Sequence, residues 1–245
     1  MSKEWFKDWF SSKEYLDVYS HRNSEDAERL LELIIRNINI EPDAKILDAA
    51  CGAGRHSIYL AEKGFDVTGF DLSSTLLKIA NENSKELKLD INFINSDIRQ
   101  FSSKTNFDLI VNLFTSFGYF DTGEENFAFP KNAFDMLNEH GYFVLDFLNK
   151  NYVIKTLVPE SEKRIGNKII SEKRKIENGR VVKKIIINEE NKKAEFFESV
   201  KLYSSEEILE KFFQIGFKIK SIFGNYAGDD FLEDDSERLI VIFQK

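Results

Sequence analysis

One cysteine in 245 residues excludes an internal disulfide framework and points to a reducing, cytoplasmic setting. Only three prolines occur, and there is no low-complexity tract or internal repeat. No apolar run approaches the length of a membrane span. The first residues, MSKEWFKDWF, lack the continuous apolar stretch of a signal peptide. A net charge of −8 argues against a nucleic-acid backbone as main partner. No metal-ligand set is expected. What is present is ordinary for a soluble chain, 42% hydrophobic and 31% charged, with 23 phenylalanines. The length suffices for one large domain, or for one domain with an insertion.

The stretch from Lys45 to Asp71, KILDAACGAGRHSIYLAEKGFDVTGFD, is the most informative. An apolar strand runs into Asp48. The turn Cys51-Gly52-Ala53-Gly54 follows, then an amphipathic helix, then a second apolar strand ending on Asp71. This reads as a β-turn-α-β unit built to hold a nucleoside. Glycine allows close backbone approach to a ligand, so Gly52 and Gly54 are binding candidates. A carboxylate at the tip of the second strand can accept both hydroxyl hydrogens of a ribose, and Asp71 stands there. Asp48 is placed to orient the loop or a ligand ammonium. The plainer alternatives are a simple strand-helix turn, a helix cap at Asp71 and a buried Asp48 satisfied by loop amides. Dinucleotide oxidoreductases want a third glycine, so that a pyrophosphate can sit on the helix N-terminus. Ser57 occupies that position here, and the preceding acid would repel a pyrophosphate. An NAD-dependent oxidoreductase is therefore the rival enzyme, and a nucleoside-binding protein without catalysis the rival non-enzyme.

An acid ending strand one with a G-x-G loop behind it resembles motif I of the class I S-adenosylmethionine-dependent methyltransferases. Asn95-Ser96-Asp97-Ile98 resembles the adenine-contacting motif of that family, and FDLIVN at 107–112 its fourth strand. LNEHGYFVL at 137–145 resembles the approach to its fifth strand, with His140 replacing a glycine. The resemblance covers most of the chain and rests on the order and spacing of these motifs. It implies an α/β fold: a Rossmann-like seven-stranded, mostly parallel sheet, last strand antiparallel, with helices on both faces. It implies S-adenosyl-L-methionine as cofactor, with Asp71 on the ribose, Asp97 on the adenine amino group and the Ile98 amide on a ring nitrogen. Asp48, Ala50, Gly52, Gly54, Leu72, Asn112 and Leu113 complete the donor contacts on that basis. A likeness to the glycine N-methyltransferase group implies an N-terminal aromatic segment folded over the donor, adding Tyr19 and Arg22. The implied reaction is in-line methyl transfer to an N or O nucleophile of a small molecule. Alignment and exclusion of water suffice for it, so no catalytic residue is named. The asparagine-proline or cysteine signature of base methylation is missing from Asn112-Leu113-Phe114-Thr115.

Apolar spacing predicts helices near 24–39, 54–63, 73–88, 123–138 and 204–215, with Ser24, Ser73 and Ser204 as caps. Apolar runs near 45–49, 66–70, 91–95, 107–112 and 142–148 alternate with the helices, which predicts parallel strands with right-handed crossovers. Strands at 217–223 and 239–243 end the chain. Residues 160–203 break this rhythm. Ile169-Ile170, Val181-Val182, Ile185–Ile187 and Phe196-Phe197 lie in strand-like runs, and Asn178-Gly179 is a hairpin signal. Three inserted antiparallel strands are expected, with a second turn at 189–193. Between Glu160 and Lys201 stand 12 Lys/Arg and 8 Asp/Glu, leaving the remainder of the chain near −12. The organisation expected is a helical lid and cap at 1–40, a core at 41–159 and 204–245, and a β insertion at 160–203. The insertion is read as a roof over the acceptor, its alternative being a homodimer interface. Tyr15, Tyr19, His21 and Arg22 belong to the lid, which is read as having no helix-forming core of its own. Cys51 is expected to be a small buried loop residue, and His140 to be exposed at the far edge.

Overall fold

The computed structural model describes residues 4–19, 24–190 and 192–245. His21 and Arg22 lie outside the described residues, as does the side chain of Ser24. The chain opens with two short helices, α1 (Trp5–Ser11) and α2 (Glu14–Val18), in the lid that was read as having no helix-forming core of its own. Segments this short draw their helicity from packing. Trp5, Phe6 and Trp9 of α1 and Val18 of α2 are all buried. Helix α3 (Ser24–Asn37) buries Ala27, Leu30, Leu31 and Ile34 as its spacing predicts.

The core then alternates: β1 (Lys45–Ala49), α4 (Arg55–Glu62), β2 (Asp66–Asp71), α5 (Ser74–Glu86), β3 (Asn92–Asn95), β4 (Phe107–Asn112), α6 (Gly123–Met136) and β5 (Leu137–Leu148). A helix not expected, α7 (Lys150–Thr156), follows, capped by the side chain of Asn149. Strands β6 (Glu160–Ile165), β7 (Lys168–Glu177), β8 (Arg180–Glu189) and β9 (Lys192–Lys201) come next. Helix α8 (Ser205–Ile215) and strands β10 (Lys218–Phe223) and β11 (Arg238–Gln244) close the chain. Ser73 caps α5, and Ser204 forms a capping box with Glu207 at α8.

One seven-stranded sheet runs β10-β11-β5-β4-β1-β2-β3. Its first five strands in sequence pair in parallel, and β11 is antiparallel to β5 and β10. Because strand side chains alternate between faces, Leu47, Ile110, Phe143 and Phe243 join α6 and α8 on one side. Ile46, Leu109, Val144 and Ile242 join α3 and α4 on the other. Stacked rings of Phe212 and Phe243, 4.1 Å apart, dock α8.

A second sheet, β6-β7-β8-β9, is antiparallel throughout. It has four strands rather than three. The unexpected strand, ESEKRI, is charged and lies at an edge, where burial imposes no apolar alternation on it. Asn178 and Gly179 both take positive φ in the β7–β8 turn, 52° and 68°. The next turn is tighter than expected, since β8 runs to Glu189 and β9 starts at Lys192. Trp5, Phe6, Trp9 and Val18 pack with Ile170, Ile185 and Ile187 of this sheet. Among the described residues no helix is long and apolar enough to cross a membrane.

Candidate functional site

The carboxyl ends of β1, β2 and β4 open onto a cavity of ≈ 710 Å³, whose other walls include α1, α2, α4 and the inward face of β7–β9. That volume falls within the range of about 300–1,000 Å³ usual for small-molecule sites. The carboxyl edge is where ligands bind in open α/β sheets.

The loop after β1 turns sharply, with left-handed backbone at Ala50, Gly52 and Gly54. Asp71, at the tip of β2, holds it. The Gly52 amide donates to Asp71 Oδ2 at 2.9 Å, and the Ser73 amide donates to Oδ1 at 2.7 Å. Burial raises the Asp71 carboxyl above its ordinary value, against the pull of those amides. A Cβ placed on Gly52 would meet only Leu76 Cδ1, at 3.9 Å, so the backbone there is open. Gly54 is different. A Cβ there would stand 2.9 Å from Ala80 Cβ and 3.1 Å from Phe93, so this glycine serves close packing of α4 on α5 and β3. Gly54→Ala is expected to cost roughly 2–4 kcal/mol, from left-handed strain and overpacking together. Urea unfolding measures it, and a cost under about 0.5 kcal/mol, the scale of an ordinary surface substitution, would refute it.

Eight of the residues expected to contact the donor line the cavity: Tyr19, Ala50, Gly52, Asp71, Leu72, Asp97, Ile98 and Leu113. Asp48, Gly54 and Asn112 stand behind its wall. Asn112 is buried and donates to the Ala49 carbonyl at 3.2 Å. Both Asp97 oxygens accept from Arg99, at 3.0 and 2.6 Å. Burial alone would raise the Asp97 carboxyl, but the Arg99 bonds prevail and lower it. Arg99 in turn lies 4.5 Å from the Phe120 ring centroid.

Asp48 is buried and accepts from Ser57 Oγ at 2.6 Å. Ser57 thus fills the third-glycine position with a buried hydrogen bond. Burial, only partly offset by Ser57, pushes the Asp48 carboxyl from 3.8 up to about 6. Since the folded value exceeds the unfolded one, this group favours folding below about pH 4 and loses that contribution as pH rises through about 6. Two units correspond to about 3 kcal/mol as an upper bound. Asp48→Asn is expected to raise stability at pH 7 and to flatten the pH 4–6 slope of the urea midpoint. An unchanged slope would refute the assignment.

Cys51 is buried, and its thiol is pushed well up by burial. His56 is buried in the cavity wall, and burial keeps it neutral. His140 is exposed at the opposite edge of the sheet.

The sequence reading missed a charged row across the second sheet. Arg174, Lys183 and Glu198 lie side by side on β7, β8 and β9, all lining the cavity. Lys183 pairs with Glu198 at 2.6 Å. Glu198 also accepts from Trp9 Nε1 at 2.7 Å and from the Tyr19 hydroxyl. These bonds overcome burial and hold the Glu198 carboxyl below its usual range. A signal was available: Glu198 shares its face with Phe196 and Val200, and Lys183 with Val181 and Ile185. A charge between apolar i±2 neighbours points inward. Arg180 ties this sheet to the core by donating to the carbonyls of Gly118, Tyr119 and Phe120 at 3.1, 2.8 and 3.0 Å. Helix α1 spans both halves of the cavity. Ser73 Oγ donates to the Phe10 carbonyl at 2.8 Å on the β2 side, while Trp9 reaches Glu198 on the other.

Residues 46–141 match the family model described as a methyltransferase domain. YqeM of Bacillus subtilis (strain 168) is 35% identical over 118 residues, 48% of this chain and 47% of that protein. Glycine/sarcosine N-methyltransferase of Aphanothece halophytica is 30% identical over 125 residues, 50% of this chain and 47% of that protein. The chain thus spans about half the length of the curated relatives it matches. An S-adenosylmethionine-dependent methyltransferase from Clostridium acetobutylicum ATCC 824 shares the fold, with a TM-score of 0.82 at 20% identity, over 94% of this chain and 97% of that one.

Proposed function

We propose that the protein is a class I S-adenosylmethionine-dependent methyltransferase that methylates a small molecule in this cavity, a reading supported by the match of residues 46–141 to a methyltransferase domain. The observation that carries the reading is the junction of Gly52 and Asp71, an open backbone beside a buried carboxylate at the cavity wall. Asp71 accepts the ribose hydroxyls, each of its oxygens having a lone pair beyond the one used by an amide. Leu72, Asp97 and Ile98 border the adenine. Ala50, Gly52 and Leu113 border the methionine part, Tyr19 closes over it, and the donor carboxylate is assigned to Arg22. Asp48, Gly54 and Asn112 support that loop from behind. The donor supplies an activated methyl group, which an acceptor lone pair displaces from sulfur. The protein's part is alignment and dryness. Trp5, Phe10, Tyr15 and Tyr119 form a contiguous aromatic wall, with ring centroids 5.1–5.9 Å apart, that excludes water from the acceptor side. A nitrogen nucleophile is supported by the similarity to a glycine/sarcosine N-methyltransferase. An oxidoreductase reading finds no support, because Ser57, bonded to the buried Asp48, occupies the position where the dinucleotide fingerprint needs a glycine for close helix–strand packing.

Calorimetry with S-adenosylhomocysteine and with NAD tests the donor. Binding of the former alone is expected, and binding of NAD alone would sink the proposal. Transfer of labelled methyl groups to amine and alcohol panels then tests catalysis. A chain beginning at Ser24 is expected to stay folded yet lose donor affinity or turnover, because α1 and α2 cover the cavity. Full activity in that truncation would remove the lid, and Arg22 with it.

A further inference from the structure

The sheet order places β1, β2 and β3, whose carboxyl ends lead to the donor candidates from Asp48 to Ile98, on one side of β4, and β5 and β11 on the other. The second half holds a buried ionic constellation that donor binding leaves unused. Asp146 of β5 is fully buried, while the side chain of Arg238, at the start of β11, is 17% exposed and lines the cavity. Arg238 Nε donates to Asp146 Oδ1 at 2.8 Å, Nη2 forms an ion pair with the same oxygen at 2.8 Å, and Nη2 donates to Thr115 Oγ1 at 3.0 Å. Asp146 Oδ2 accepts from the Phe114 amide at 2.9 Å and from the Tyr226 hydroxyl at 3.1 Å.

Phe114 and Thr115 are consecutive non-glycine residues in left-handed backbone, φ 59° and 65°. Such geometry persists only where its surroundings over-determine it, and it concentrates at ligand sites. Asp146 supplies that restraint, since its carbonyl also accepts the Thr115 amide at 3.1 Å. The carboxylate is saturated by these partners. The guanidinium is not, because Nη1 makes no hydrogen bond among the described residues and is reachable from the cavity. The result is a guanidinium fixed in orientation, with one N–H₂ group directed at open space. That is the arrangement a bound oxyanion requires. The Phe114 ring has Arg55 of α4 4.1 Å and Arg238 6.0 Å from its centroid. Arg238 stands on the β5–β11 side of β4, whereas Asp71 and Asp97 follow β2 and β3 on the other, which puts it on the acceptor side of the proposed donor position.

We propose that Arg238 anchors an anionic group, a carboxylate or a phosphate, on the methyl acceptor. The proposal rests on the methyl-transfer reading. Asp146 and Thr115 are its positioning residues. The full chain, saturated with S-adenosylhomocysteine, is compared with Arg238→Gln and with Asp146→Asn/Arg238→Gln. The paired variant leaves no lone buried carboxylate, so it keeps the test open if the single variant does not fold. Affinity for S-adenosylhomocysteine is measured by calorimetry. Thermal midpoints are then read with glycine, O-phosphoethanolamine and ethanolamine as probes. Glycine or O-phosphoethanolamine is expected to raise the wild-type midpoint, which tells carboxylate from phosphate, while ethanolamine leaves it unmoved. The variants are expected to lose that response while binding S-adenosylhomocysteine within threefold of wild type. A wild type that answers ethanolamine as it answers the anions, or answers neither anion, overturns the proposal. So do variants that keep the response, or that bind S-adenosylhomocysteine at least tenfold more weakly, since Arg238 would then serve the donor or the loop. Wild type that fails to bind S-adenosylhomocysteine removes the methyl-transfer reading itself, and this proposal with it.

Discussion

Replacing residues 160–203 by a short glycine-serine linker is expected to abolish methyl transfer while leaving S-adenosylhomocysteine binding nearly intact. Apart from the lid residues Tyr19 and Arg22, the donor candidates lie on the seven-stranded sheet or its loops, and the hydrogen bonds of Asp71 and Asp97 to Gly52, Ser73 and Arg99 do not involve the excised strands. Three things go with the second sheet. The charged row of Arg174, Lys183 and Glu198 is removed from the cavity wall. The loop at Gly118–Phe120 loses the three bonds from Arg180. Helix α1 loses its seat, because Trp9 no longer finds Glu198 or the Phe196 ring, whose centroid is 4.6 Å away. Displacing a bound acceptor by about 1 Å can already cost on the order of 10²-fold in rate, and here a whole wall disappears. Single-turnover transfer of labelled methyl groups measures the effect, with calorimetry as the control. A deletion variant that loses only self-association, while keeping turnover, would identify the sheet as a dimer interface instead. Arg180→Met is the milder companion: turnover is expected to fall with the fold intact, since the 118–120 loop loses its three side-chain bonds while the Lys201 amide still donates to the Gly118 carbonyl.

Asp71→Ala should weaken S-adenosylmethionine binding at least tenfold. One charge-assisted hydrogen bond is worth about 1.5–3 kcal/mol, and about 1.4 kcal/mol is already tenfold. Two losses add here. The ribose loses its acceptor, and the Gly52 amide loses the partner that fixes the glycine loop. Asp71→Asn separates them only in part, since its amide nitrogen would face either Gly52 or Ser73, both of which are donors. Circular dichroism and a thermal melt should show the variant folded. Undiminished affinity would remove Asp71 from the ribose.

The β1-turn-β2 unit was legible because its signals are local. An apolar run, a glycine pair and an acid at a strand tip lie within 27 residues, and periodicity assigns each a place. Helix caps were legible for the same reason: Ser73 and Ser204 bond amides three residues ahead. Strand β6 and helices α1, α2 and α7 were not. Short charged or aromatic segments have no period strong enough to declare a state, and their conformation is imposed by what they pack against.

What the sequence determined by itself was therefore the order of elements, the parallel core and the residues at the carboxyl tips, including Asp71, Asp97 and Leu113. The tertiary structure decided which of these share a cavity and what closes it. Gly52 and Gly54 look alike in sequence, yet one opens to the cavity and the other is wedged against Ala80, because only packing sets what a Cβ would meet. The Trp9–Glu198 bond joins residues 189 apart, and the Arg238–Asp146 pair joins residues 92 apart. No local pattern encodes a contact of that separation. It exists because β11 returns antiparallel along β5 and because the second sheet folds back over α1, and both follow from burying apolar faces that no single segment can bury alone.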